Sequence, residues 1–253
     1  MLVLGAAAAC SDDPETNPVV VANEGGTETG PVTATEAKQT GTIADAIDSF
    51  EVPGAVVTIA GKSATTDVAG RYEILVPRNV PYQMSVTEGS HYKLNEQEWI
   101  VKKDLVDRPG TLLLSTDVAN LLSSFLPMRD KAKGLLVVRI NPMPPCDSEQ
   151  GSTLTLEPAG ASKITYFSNG RPNQSQPSTI KGESFSGAFS DVDIGVPLKV
   201  TVNSPLCEQV PFPVEIDNVT YTGVQKTEPG EALSYMRVYI GPKKASVADA
   251  ATD

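Results

Sequence analysis

Short runs in which apolar and polar residues alternate recur along this chain, and Gly or Pro bounds most of them. Residues 71–76 and 82–87 place an apolar side chain at nearly every second position, and residues 198–202 repeat the pattern. Alternation with a period of two is typical of a strand that buries one face. Many short strands separated by turn residues predict an all-β chain folded as β-sandwiches.

One stretch, residues 116–126, follows a helical period instead. Its apolar residues fall at i, i+3, i+4 and i+7, which gives a single apolar face. The residues of this face are Val118, Leu121, Leu122 and Phe125. Ser115 or Thr116 can cap the start, and Pro127 ends the stretch. We expect residues 115–133 to be a short helical connector that packs against one of the sheets.

Four sequence motifs occur in order within residues 40–114. They are Gly41-Thr-Ile-Ala-Asp, Val52-Pro-Gly-Ala-Val-Val-Thr-Ile-Ala-Gly61, Thr65-Thr-Asp-Val-Ala-Gly-Arg-Tyr72 and Pro81-Tyr-Gln-Met-Ser-Val86. Their order resembles the carboxypeptidase regulatory-like domain, a family with a transthyretin-like β-sandwich. The resemblance implies that residues 40–114 form one such sandwich. Asp67 is expected to cap the turn of the third motif through its side chain.

Residues 134–242 look like a divergent second copy of this segment. Three stretches match in order: Gly151-Ser-Thr-Leu-Thr-Leu with Gly54-Ala-Val-Val-Thr-Ile, Gly187-Ala-Phe with Gly70-Arg-Tyr, and Val196-Pro-Leu-Lys-Val-Thr-Val with Val80-Pro-Tyr-Gln-Met-Ser-Val. An insertion rich in Asn, Gln, Ser and Pro lies between Leu156 and Gly187. We therefore expect tandem transthyretin-like sandwiches, followed by a disordered tail over residues 243–253.

Residues 1–10 form a short apolar run with small side chains that ends at Cys10. This run resembles the end of a bacterial lipoprotein signal peptide, in which the Cys becomes the lipidated residue. Residues 11–39 carry six acids and one base and show no apolar period. Such a segment cannot bury enough surface to offset its ordering entropy. We expect a disordered acidic tether behind a lipid anchor, on an exported protein of the outer membrane or cell surface.

Composition and motifs exclude several functional classes. The net charge is −11 and no basic patch occurs, so nucleic acid is not an expected partner. His91 is the one histidine, whereas hydrolytic metal sites usually need two or three imidazoles. It lies in a polar stretch and is expected to be an exposed loop residue. No Gly-x-Ser-x-Gly motif occurs, and we expect no enzyme activity, no cofactor and no metal site.

Cys146 and Cys207 remain as a pair once Cys10 carries lipid. An exported protein meets oxidising conditions, in which an even pair of thiols favours a disulfide. Each residue follows the end of a predicted strand, so strands that run alternately up and down can bring both loops to one end of a sandwich. We therefore predict a disulfide between Cys146 and Cys207.

The sequence thus indicates a membrane-anchored, non-catalytic structural or protein-interaction module whose protein partner is unknown. The alternative is a carbohydrate-binding surface lipoprotein that recognises a cell-surface polysaccharide. This alternative would use the amide-rich segment 168–182 and would need Tyr92 and Trp99 as rings that stack on sugars. Two apolar residues follow Trp99, and we favour core packing for its side chain.

Overall fold

The computed structural model describes residues 35–127 and 129–243. Within them the chain forms eighteen strands and one short helix, which confirms the all-β prediction. The strands make two β-sandwich units that are joined through one sheet. Cys10, most of the predicted tether and almost all of the predicted tail lie outside the described residues.

The first unit contains eight strands. They are β1 (Glu36–Asp45), β2 (Val56–Ile59), β3 (Lys62–Thr65), β4 (Arg71–Pro77), β5 (Met84–Thr87), β6 (Lys93–Glu96), β7 (Trp99–Val101) and β8 (Leu105–Leu113). The tether prediction is wrong for its last residues, because β1 begins at Glu36. Ala37 and Gln39 are fully buried because they lie on the face of β1 that points into the core, and this end of β1 pairs with β4.

The second unit contains ten strands. They are β9 (Gly134–Pro142), β10 (Thr153–Glu157), β11 (Lys163–Ser168), β12 (Arg171–Asn173), β13 (Gly187–Val192), β14 (Lys199–Asn203), β15 (Glu208–Gln209), β16 (Val214–Ile216), β17 (Val219–Tyr221) and β18 (Ala232–Gly241). The polar insertion predicted after Leu156 is partly strand, because β11 and β12 form a hairpin within it.

The strand pairing of the two units repeats as the sequence does. β2 pairs antiparallel with β5, and β10 pairs antiparallel with β14. Val57 lies opposite Val86 in the first pair, and the matching Leu154 lies opposite Val202 in the second. In the first unit, β1 pairs antiparallel with β4 and parallel with β8. In the second unit, β9 pairs antiparallel with β13 and parallel with β18. The sequence repeat therefore corresponds to a repeated topology.

A continuous sheet connects the two units. β18 pairs in parallel with β9 on one side and with β6 on the other. The sheet consequently runs from β12 at one edge to β3 at the other. A second link is the pairing of β17 with β7. Strand pairs therefore cross the boundary predicted between residues 40–114 and 134–242. The reason is that β18, the last strand of the second unit, extends the sheet of the first unit.

Two hydrophobic cores lie on opposite faces of this connecting sheet. Leu136 and Val138 of β9 belong to the core under β10 and β14, whereas Leu135 and Val137 belong to the core of the first unit. A strand that is covered on both faces needs apolar residues at successive positions. This explains why β9 lacks the alternation that marks the half-buried strands.

The helix α1 covers Thr116–Ser123 and is shorter than predicted. Its predicted apolar face is wrong at Leu121, which is 60% exposed. Val118 and Leu122 of the predicted face do pack against the core, and Ala119 beside them is buried. Ser115 is the N-cap residue but makes no side-chain hydrogen bond there. No helix in the described ranges is both long and apolar enough to cross a membrane.

The turn before β4 has the geometry that the sequence predicted. The Asp67 carboxylate accepts hydrogen bonds from the backbone N–H groups of Ala69 and Arg71, both at 2.9 Å. Gly70 in the same turn has a φ of +66°, a conformation that favours glycine. The third motif therefore fixes the entry into β4.

Candidate functional site

The structure places Trp99 and Tyr92 in the core of the first unit. Trp99 is fully buried, and the rings of Tyr82 and Tyr221 lie 6.0 and 6.5 Å from it. The Arg108 guanidinium lies 3.7 Å from the centre of the Trp99 ring. Core packing of Trp99 is confirmed. Tyr92 is only 3% exposed, so the sugar-stacking role considered for these two rings is wrong.

Cys146 and Cys207 form a disulfide, which confirms the prediction. Their Cα atoms are 6.1 Å apart, and both residues are buried. Cys146 follows β9 and Cys207 lies just before β15. The bond therefore ties two loops together in the second unit. Lipidation at Cys10 stays a prediction, because this residue lies outside the described part of the chain.

His91 is not the exposed loop residue that the sequence predicted. Its side chain is only 11% exposed and lies between two carboxylates. Nε2 is 3.2 Å from an Asp45 oxygen, and Nδ1 is 2.5 Å from a Glu88 oxygen. Asp45 at the end of β1 contacts the imidazole from another part of the chain, and the backbone of His91 forms a β-bridge with Ser115.

Ser90 completes this cluster but is not arranged as a nucleophile. Its hydroxyl donates to Glu88 at 2.6 Å, although Nδ1 of His91 is also near, at 3.1 Å. This hydrogen bond, with further help from His91, lowers the pKa of Glu88 to about 2. A hydroxyl that donates to a carboxylate is not activated by the imidazole. In the described part of the chain, no group of three His, Cys, Asp or Glu side chains could hold a metal ion.

A second charged cluster lies in the interior of the first unit. The Glu96 carboxylate accepts hydrogen bonds from Arg108 and Thr111, and all three residues are buried. Burial raises the pKa of Glu96, but the guanidinium groups of Arg108 and Arg237 outweigh it and hold the pKa below its usual range. Glu96 is therefore an ionised, paired residue.

A cleft of about 510 Å³ lies at the junction of the two units. Its walls come partly from the loop after β1, the end of β8 and α1. The other walls come from β6, β18 and the β11–β13 region. Its main apolar lining residues are Leu94, Val118, Leu122, Phe167, Phe185 and Leu233. Ile47 and Leu112 also line the cleft and are 65% and 48% exposed. The volume lies within the range typical of small-molecule sites.

Two arginines lie side by side in this cleft. Arg139 of β9 and Arg237 of β18 are paired directly in the parallel register, and both line the cleft. Neither has a carboxylate within ion-pair distance among the residues that the structure describes. Like charges opposite each other on neighbouring strands destabilise a sheet. Glu96 attracts Arg237, whereas Arg139 is exposed and has no carboxylate partner in the described part of the chain.

These two arginines are not among the site residues predicted from the sequence. Each is a single cation inside an otherwise apolar strand, in Val137-Val-Arg-Ile140 and in Tyr235-Met-Arg-Val238. A charged residue within such a run was the available signal. The sequence does not show that the two strands are neighbours, so it does not show that the two cations meet.

Comparisons with known proteins yield only weak structural similarity. No family model and no curated protein matches this sequence. The Bacillus anthracis TIE protein is 14% identical with a TM-score of 0.26, over 83% of this chain and 34% of that one. A shaft pilin SpaA from Lactobacillus rhamnosus GG is 8% identical with a TM-score of 0.24, over 84% and 98%. A streptococcal ancillary pilin is 11% identical with a TM-score of 0.25, over 86% and 64%. Scores this low support no inference about function.

Proposed function

We propose that this chain is an exported, lipid-anchored and non-catalytic surface module, whose two units interact with another molecule outside the cytoplasm. The single observation that carries the proposal is the disulfide between Cys146 and Cys207. Disulfides persist in oxidising compartments and are rare in the cytosol. A buried disulfide that joins two loops of the second unit therefore supports export.

The membrane anchor in this proposal is a lipid on Cys10. The apolar run before Cys10 and the acidic segment after it support this assignment. Ser11 beside it favours sorting to an outer membrane. Because β1 begins at Glu36, the tether ends near residue 35 rather than at residue 39. The tether would hold the folded units at a distance from the bilayer.

The two charged clusters of the first unit support a non-catalytic role. His91 is held between Asp45 and Glu88, and Glu96 accepts hydrogen bonds from Arg108 and Thr111. A catalytic base needs a free hydrogen-bonding atom that faces a substrate. In both clusters the acidic and basic groups bind one another instead, so each cluster stabilises a loop or a core.

A relation to the carboxypeptidase regulatory-like family is part of the proposal. In the first unit, Tyr72, Met84 and Val86 from the matching motifs are core residues, and Asp67 forms the expected turn. The repeated strand pairing supports extending the relation to the second unit.

Replacement of Cys10 tests the anchor. A Cys10→Ser variant, expressed with a complete signal peptide, should move from the membrane fraction to the soluble fraction, because it has no thiol to carry lipid. The control is the double variant Cys146→Ser and Cys207→Ser, which keeps Cys10 and should stay in the membrane fraction. Retention of Cys10→Ser in the membrane would contradict the proposal.

The carbohydrate-binding alternative has less support than the protein-interaction module. Its two candidate rings are buried, so only the amide-rich segment 168–182 remains. Part of this segment lines an open groove of about 500 Å³ beside the ring of Phe125, with Asn169 and Gln174 among its walls. Arg171 lies 5.6 Å from the centre of that ring, so the ring face already has a neighbour.

A further inference from the structure

We propose that the cleft at the junction of the two units binds a small amphipathic carboxylate, such as a fatty acid. The carboxylate would lie against Arg139 and Arg237, and the alkyl chain would lie along the apolar wall. This inference names a ligand class for the binding part of the proposed function and rests on that part alone. It does not depend on the lipid anchor.

The charges of the cleft favour an anionic group. Two carboxylates also line it, but both are already engaged: Glu96 by Arg108 and Thr111, and Glu183 by the backbone N–H groups of residues 169 and 170 at 2.7 and 2.9 Å. Arg139 has no side-chain partner among the described residues, and Arg237 forms no ion pair there, although it donates to the Tyr221 hydroxyl and is attracted by Glu96 from a greater distance. A bound carboxylate would relieve their mutual repulsion and would accept charge-assisted hydrogen bonds from planar guanidinium donors.

The geometry holds one guanidinium in place before a ligand arrives. Arg237 donates a hydrogen bond to the Tyr221 hydroxyl at 3.1 Å and lies 5.3 Å from the centre of the Tyr235 ring. Burial lowers the pKa of Arg237, but attraction to Glu96 outweighs burial and raises it, so the group stays charged. Arg139 is exposed and reaches the cleft from the neighbouring strand. A partly buried, fixed cation beside a free one suits an anion that enters from solvent.

The apolar wall favours an alkyl chain as the rest of the ligand. The wall continues inwards from the arginines, because Leu122, Phe167 and Phe185 also line a small apolar void of about 30 Å³ beneath α1. Ile47 and Leu112 leave large apolar surfaces exposed to water in the absence of a ligand. Removing apolar surface of this kind from water contributes to binding in proportion to its area. The cleft thus combines a cationic part with a longer apolar part.

The test uses the full chain with Cys10→Ser, purified without detergent so that no amphiphile competes for the cleft. Dodecanoate is titrated into the protein below its micellar concentration, and heat is measured by calorimetry. We expect saturable binding of one dodecanoate per chain. Arg139→Gln should weaken this binding roughly tenfold or more, because a hydrogen bond to a charged group is lost. Arg139 is exposed, and its removal relieves the repulsion with Arg237, so the melting temperature of the variant should stay the same or rise and should not fall.

Two controls separate the carboxylate from the alkyl chain. Dodecanol has the same chain without the charge, and its weaker binding should be unaffected by Arg139→Gln. Arg171→Gln removes another exposed arginine from the same sheet but outside the cleft, and dodecanoate binding should not change. Absence of dodecanoate binding, or equal affinity of the unsubstituted and Arg139→Gln proteins, would overturn the inference. Neither result would alter the membrane fractionation of the Cys10→Ser variant, so the two proposals fail separately.

Discussion

At the scale of single residues, Glu88 shows how one side chain fixes a loop. Its carboxylate accepts hydrogen bonds from the hydroxyl and the backbone N–H of Ser90 and lies against His91. These contacts lower its pKa from 4.5 to about 2. Because the folded-state pKa lies below the unfolded one, the ionised carboxylate stabilises the fold at pH values above 4.5. That contribution is lost as the pH falls towards 2.

Glu88→Gln is therefore expected to reduce the acid sensitivity of the protein. Between pH 4.5 and 2, the free energy of unfolding should fall less steeply for the variant, because it has no carboxylate to protonate at this position. Urea unfolding at a series of pH values measures the difference. Glu157→Gln is the matched control, since the Glu157 side chain is exposed on β10 and makes no hydrogen bond to the residues that the structure describes. Equal pH slopes for Glu88→Gln and the unsubstituted protein would contradict the assignment.

At the scale of elements, Gly70 links the turn before β4 to β1. Its carbonyl accepts a hydrogen bond from the Ile43 N–H at 2.8 Å. A Cβ atom on Gly70 would lie 2.5 Å from the Ile43 carbonyl oxygen, which cannot move without disturbing β1. The turn thus needs glycine for two reasons, namely its positive φ and its close approach to the backbone of a neighbouring strand.

Gly70→Ala should destabilise the protein by about 1–3 kcal/mol from backbone strain alone, with a further loss from the contact with Ile43. Gly61→Ala provides the comparison. Gly61 has a φ of +79° in the β2–β3 hairpin, but no atom lies within 4 Å of its Cβ position. Chemical denaturation of both variants should show the larger loss for Gly70→Ala. Equal losses would mean that the close contact contributes nothing.

The elements divide clearly into those that the sequence could predict and those that it could not. Local signals sufficed for the turn at Asp67 and for the matched strands β2 and β10, because turn chemistry and period-two alternation depend on adjacent residues. The parallel pairing of β18 with β6 joins residues about 140 positions apart, such as Leu94 and Leu233. No local pattern specifies which open edge a strand will join.

The candidate cleft was unpredictable for the same reason. Arg139 and Arg237 come together only through the register of β9 and β18, and the remaining walls come from the first unit and α1. The disulfide could be predicted because only Cys146 and Cys207 remain once Cys10 is assigned to the lipid anchor. Two thiols in an exported protein can form only one intramolecular pair. The sugar-stacking role failed because an aromatic side chain in a short strand is equally suited to a core, and here Arg108 and two tyrosines surround Trp99.

At the scale of the whole molecule, the shared sheet couples two cores that lie in different parts of the chain. β9 and β18 supply side chains to both cores from their two faces. Loss of packing on one face therefore disturbs the strands that support the other. Two sandwiches joined only by a linker would unfold independently, whereas units that share central strands should unfold in one cooperative transition.

Leu198→Ala tests this coupling. Leu198 is fully buried in the second core, and the chain's single Trp, Trp99, reports on the first core. The truncation should remove roughly 2–5 kcal/mol of stability. If the shared sheet couples the units, the unfolding midpoint measured by Trp99 fluorescence should fall together with the midpoint measured by circular dichroism. Leu206→Ala is the control, because Leu206 is 60% exposed in the same unit and its truncation should leave both midpoints nearly unchanged. A Trp99 midpoint that stays constant while circular dichroism detects earlier unfolding would show that the two units fold separately.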